Sequence, residues 1–201
     1  MAKRTIDNFG WFFRGALAGA LLTLTPLTAS AADNSCAGVT LPASEQAFGE
    51  PLVRNGVGVR QATFLNVNVY VAGLYVEHKT RSVQEILRQD QPKLMVLQFV
   101  RDVSSQEMVD ALNDALRKNV GEEFGAAHQH LQRFVEKLPQ LRKGTNLTLA
   151  YRPGHGLELT VNGKQLGTEP DDHIANLVFR AWLGPQPPDT DLKAGLLGAP
   201  C

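Results

Sequence analysis

Cysteine is almost missing from this chain: among 201 residues only Cys36 and Cys201 occur. Two thiols so far apart offer no metal or redox spacing. Net charge is missing as well, since 20 basic residues meet 20 acidic ones. Such a balance leaves no electrostatic footprint for nucleic acid or an anionic lipid surface. No G-x-S-x-G, phosphate-cradling glycine loop or H-E-x-x-H occurs, so the hydrolase, nucleotide and zinc-protease chemistries have no motif to stand on. His128 and His130 lie two apart on a predicted helix and diverge, reading as a solvated pair rather than a chelate. His155 sits in a glycine-flanked turn, with a place at a cleft mouth as the alternative. No cofactor and no metal are expected.

Long apolar runs are also scarce. The longest candidate, Gly15–Leu24, has ten residues against the roughly 20 of a membrane-spanning helix. It follows Lys3 and Arg4 and precedes Ala29-Ser30-Ala31, the order of a secretory signal cleaved after Ala31; a retained anchor is the alternative. The expected organisation is therefore a leader, 1–31, and one domain, 32–201. That domain would carry 17 basic and 19 acidic residues, a net charge near −2, and no membrane span. In an oxidising compartment Cys36 and Cys201 are expected to pair, the alternative being two free thiols. The bridge would close a loop contributing roughly 4–5 kcal/mol in the chain-entropy model.

What is present alternates. Val39–Leu41 suggests an edge strand, and Gly56–Glu77 reads as two consecutive strands joined near Phe64–Asn66. A short amphipathic helix is expected over Thr80–Gln91 and a strand over Lys93–Val103. Ser104 with Glu107 is a capping box, opening a helix with Met108, Val109, Leu112 and Leu116 at helical spacing. A second helix runs from about Glu122 to Leu138. Strands follow at Asn146–Tyr151, Leu157–Val161 and Lys164–Gly167, the last two joined by the hairpin signal Asn162-Gly163. A final helix is expected from near Thr168 to Gly184, with Asp171 and Asp172 favourable to its dipole. Trp182 on it is expected in the core or an interface, and Pro185–Asp191 as a surface tether. Hairpin-linked strands with a block of helices predict an α+β fold, an antiparallel sheet with helices layered on one face.

Two residues fit the central hairpin poorly. Val67, Val69, Val71 and Tyr75 share one face of the second strand; Tyr70, Ala72, Leu74 and Val76 share the other, so it is apolar on both sides from Tyr70 onward. Arg60 and the phenol of Tyr70 interrupt this. An unpaired buried guanidinium is costly, so Arg60 must meet an anion or an array of acceptors. No protein counter-charge is expected there.

GVGVR followed by VNVYVAGLYVEHK resembles the opening hairpin of the chalcone isomerase-like family. The likeness continues through FVRDVSSQEMVDAL, LAYRPGHGLELTVNGKQLG and FRAWLG…LKAGLLG, in order. The resemblance implies an open-faced antiparallel β-sandwich with a layer of helices on the large sheet and a ligand cleft between them. It implies that Arg60 faces the ligand: as an oxyanion stabiliser in the catalytic isomerases, as a carboxylate anchor in the fatty-acid-binding relatives. Tyr70 stands where the isomerases have threonine and the fatty-acid-binding branch has tyrosine. Met108 and Ala115 stand where the isomerases have tyrosine and asparagine, unless a one-residue slip brings Asn113 or Asn119 there. The family's late polar wall position falls near Asn176. The expected ligand set is thus Arg60, Tyr70, Met108, Leu112 and Asn176, with Leu74 and Phe134 on the cleft-facing side. The expected ligand is a small apolar carboxylate. The alternatives are an intramolecular lyase using Arg60 and Tyr70 as catalytic residues, and a structural or partner-binding periplasmic protein. At Arg60 itself a pinned arginine serving strand carbonyls is the other reading, and at Tyr70 an ordinary buried strand tyrosine.

Overall fold

The computed structural model describes residues 35–62 and 67–201; the side chain of Phe134, the hairpin junction at Phe64–Asn66 and the leader lie outside the described residues. Seven strands form one antiparallel sheet in sequence order: β3 (Ser44–Ala47), β4 (Glu50–Ala62), β5 (Val67–Val76), β6 (Lys93–Phe99), β7 (Asn146–Arg152), β8 (Gly156–Val161) and β9 (Lys164–Glu169). A small ribbon, β1 (Ser35–Cys36) with β2 (Val39–Thr40), precedes it. The period-2 alternation sorts the strands into two apolar layers. Val57, Val71, Tyr75, Leu94 and Val96 pack on one side with Cys36, Val39, Leu41 and Leu52. Tyr70, Ala72, Leu74, Met95, Leu97 and Phe99 pack on the other, against the helices. From Tyr70 onward strand β5 is therefore covered on both faces, as its composition predicts.

The helices are α1 (Val83–Ile86), α2 (Ser105–Val120), α3 (Phe124–Val135), α4 (Asp172–Leu183) and α5 (Thr190–Leu196). The capping box at α2 is complete: Ser104 Oγ accepts from Glu107 N at 3.2 Å, and Ser104 N donates to Glu107 Oε2 at 2.8 Å. This fixes the first turn and, with it, the direction of the buried stripe Met108, Leu112, Ala115 and Leu116. Each large apolar side chain buried there contributes roughly 1.5–3 kcal/mol.

Several boundaries differ from expectation: β4 begins at Glu50, β6 ends at Phe99 and α3 ends at Val135. Helix α1 is only four residues, ending well before Pro92. Residues Thr168 and Glu169 belong to β9 rather than to the last helix. Helix α4 starts at Asp172 because the Asp171 carboxylate accepts from His173 N at 2.9 Å and Ile174 N at 3.1 Å. The tether after Gly184 also leads into an additional helix, α5, which packs on β4. Gly56 and Gly58 permit this, since a side chain at either would collide with the backbone of Gly195 or Leu192. The buried Asn55 adds a bond from Nδ2 to Leu196 O at 2.8 Å. Beyond α5 the chain ends in the Cys36–Cys201 disulfide, with Cα atoms 5.9 Å apart. No described helix is long and apolar enough to cross a membrane.

Candidate functional site: a cavity between the central hairpin and α2

Arg60 and Tyr70 are direct cross-strand partners on β4 and β5. Neighbours in that relation place their side chains on the same face. The pairing slips by one residue immediately after Arg60, an irregularity of the kind that re-aims side chains beside functional sites. Both residues line a cavity of about 220 Å³. The apolar wall comes from Val69, Phe99, Met108, Leu112 and Ala115, together with Ala181 and Trp182 of α4. The α2 members recur at i, i+4 and i+7, so one face of a capped helix forms that wall. Arg101, Asp102 and Glu107 make a polar rim.

The phenol of Tyr70 is 6 % exposed and lies edge-on to Phe99, ring centres 5.5 Å apart. Its oxygen accepts a hydrogen bond from Trp182 Nε1 at 3.0 Å. With one lone pair occupied by the indole, the hydroxyl proton remains to be donated. Burial pushes the Tyr70 pKa up to about 12, against smaller lowering effects of the Trp182 bond and the Arg60 charge. The group therefore stays a neutral donor across the physiological range.

Arg60 is 22 % exposed, and Nη1 donates to the neighbouring Gln61 carbonyl. The expectation that it lacks a protein counter-charge is corrected here. Asp189, 13 % exposed, lies 3.8 Å from Nη1. That distance is an ion-pair approach without a hydrogen bond. Asp189 spends its acceptors elsewhere: on Gln61 N at 3.0 Å and on Asp191 N and Leu192 N of α5 at 2.9 and 3.1 Å. The arrangement is neither a free cation nor a locked salt bridge.

Of the other expected ligand residues, Met108 and Leu112 line the cavity and Asn176 does not. Asn176 is buried on α4 and donates from Nδ2 to Leu87 O at 2.6 Å. Its helical register turns it toward α1, which a count along the sequence could not resolve. Leu74 is fully buried in the core beneath the helices rather than at the cavity. Asn113 bonds His128 at 3.1 Å, and Asn119 is saturated by Ala115 and Gln186, so neither supplies a polar group to the cavity. His128 and His130 diverge: His130 reaches Glu169 at 3.1 Å. His155 contacts Arg152 and the Phe48 ring away from the cavity. Among the described residues no cluster of metal-ligating side chains occurs. Trp182 and Asp189 are the site residues that sequence reasoning missed. The indole carries its usual signal, a buried Trp N–H needing an acceptor; Asp189 carries the Asp-before-helix signal of an N-cap.

The model of the family described as chalcone isomerase-like matches residues 33–198. The chain belongs to that family. A comparison with curated proteins found no match. Among solved structures, a fatty-acid binding protein of Arabidopsis thaliana superposes with a TM-score of 0.64 at 18% identity, covering 80% of this chain and 92% of that one. At that identity the likeness establishes the fold, and the chalcone isomerase-like architecture expected from the sequence is the one observed.

Proposed function

We propose that this chalcone isomerase-like protein is a secreted, periplasmic binding protein for an apolar carboxylate such as a fatty acid. The observation that carries the reading is the cross-strand pair Arg60–Tyr70 opening on one apolar cavity. A guanidinium and a neutral phenol are two donors for one carboxylate, and charge-assisted bonds of this kind are the strong ones. At about 220 Å³ the cavity admits the head group and the first part of an alkyl chain, and a longer tail passes the rim. The structural neighbour's name as a fatty-acid binding protein supports the same ligand class. The leader-like residues 1–31 and the disulfide support an oxidising compartment.

The rival reading, ring closure by an intramolecular lyase, fits less well. Met108 and Ala115 line the cavity where the isomerases have polar groups, and neither can orient a phenolate or a water. A phenol whose pKa is pushed up to about 12 is a weak general acid at neutral pH. A purely partner-binding role with a closed cleft is disfavoured by the open cavity beside Arg60. The test is titration of delipidated protein with octanoate and longer fatty acids. Binding by wild type that Arg60→Ala loses supports the reading; equally weak binding by both ends it. Ring closure of a chalcone, abolished by Arg60→Ala, would establish the lyase instead.

A further inference from the structure

Arg60 has a carboxylate companion, Asp189, which its own contacts hold in place. Asp189 Oδ1 caps α5 through two backbone N–H groups, and Oδ2 accepts from Gln61 N, which follows the pairing slip in β4. Helix α5 is in turn fixed against Gly56 and Gly58 and by the Asn55–Leu196 bond. These contacts hold the carboxylate 3.8 Å from Arg60 without letting it close into a hydrogen-bonded pair. Pro188, the residue before it, lines the cavity.

We propose that Asp189 is a specificity-determining residue of this site, a built-in counter-ion that an acidic ligand must share Arg60 with. The inference rests on the carboxylate-binding reading above. Two consequences follow from charge alone. A monoanionic head group meets Arg60 already half-neutralised, so binding is attenuated and reversible. A dianionic head, such as a phosphate monoester, meets stronger repulsion from Asp189 and is disfavoured. An uncharged head group with the same tail feels neither effect.

The substitution Asp189→Asn removes the charge and keeps the helix cap, because asparagine caps about as well as aspartate; the bond from Gln61 N is lost with it, and the octan-1-ol titration reads that structural part. Asp189→Ser is a second uncharged cap. Octanoate, octan-1-ol and octyl phosphate are titrated into wild type, both variants and Arg60→Ala by calorimetry. Asp189→Asn or Asp189→Ser is expected to bind octanoate on the order of fivefold tighter, the scale of a partly screened charge pair. Octyl phosphate is expected to gain more than octanoate, and octan-1-ol to stay unchanged. Octanoate affinity unchanged in both variants, or an equal gain for acid and alcohol, overturns the role of Asp189. If wild-type binding of octanoate does not depend on Arg60, the carboxylate reading itself falls, whatever Asp189 does.

Discussion

Lys93 and Arg60 are both drawn inward from this protein's surface, and they are satisfied in opposite ways. Lys93, at the start of β6, is fully buried. Its ammonium donates to Ile86 O at 2.9 Å and Arg88 O at 2.5 Å, around the end of α1, and lies 4.7 Å from the centre of the Tyr151 ring. Burial pushes its pKa down to about 7. Arg60 has one bond to a neighbouring carbonyl and a carboxylate beyond hydrogen-bond reach, and it opens on a cavity. Both are costly to bury. One is enclosed and bonded by its own fold; the other is left at the wall of a cavity. Under the proposed reading, the cation its own fold leaves incompletely satisfied is the one that meets a ligand.

The comparison breaks most sharply at Lys93. Lys93→Ala leaves two carbonyls unpaired and a void, and should cost about 3 kcal/mol, read as a lower denaturant midpoint with octanoate affinity unchanged. The pH dependence follows from the same residue. Its folded pKa, about 7, lies below the 10.5 of the unfolded chain. The unfolded state therefore binds more protons between those values, and Lys93 makes stability rise with pH across that window. Wild type should gain stability from pH 7 to 10, and Lys93→Met should flatten the curve; equal slopes in chemical denaturation would refute the assignment. Arg60→Ala should do the reverse of Lys93→Ala. Octanoate binding should weaken at least tenfold, the scale of a charge-assisted bond, while the melting temperature moves by a few degrees at most. The smallest effect is expected for Tyr70→Phe, which keeps the ring against Phe99 and removes one donor. Octanoate affinity should fall roughly fivefold, and stability by about 1 kcal/mol because the Trp182 N–H loses its acceptor.

Both cations are plain letters in the sequence, yet only one was legible as special. Arg60 interrupts a strand of small and β-branched residues, and the motif around it resembles a family whose arginine faces a ligand. Lys93 follows Pro92 at a strand start, where a lysine reads as solvated; its burial depends on α1 folding over it, and α1 is four residues long. Asn176 shows the same limit, since one residue of helical rotation, about 100°, decides between a cavity wall and a helix contact. Asp189 lies inside a proline-rich tether, and a cap is visible only once its helix is known.

The sequence by itself determined the alternation, the capping box, the Asn162-Gly163 turn, the family and hence the antiparallel sheet with its helices. These rest on interactions between residues close along the chain, or on patterns that only one layer arrangement can bury. Only the tertiary structure decided what faces Arg60. Asp189 is 129 positions away in the numbering, and it arrives because two glycines let α5 lie on β4. Electrostatic pairing depends on distance in space, and no local pattern encodes that distance.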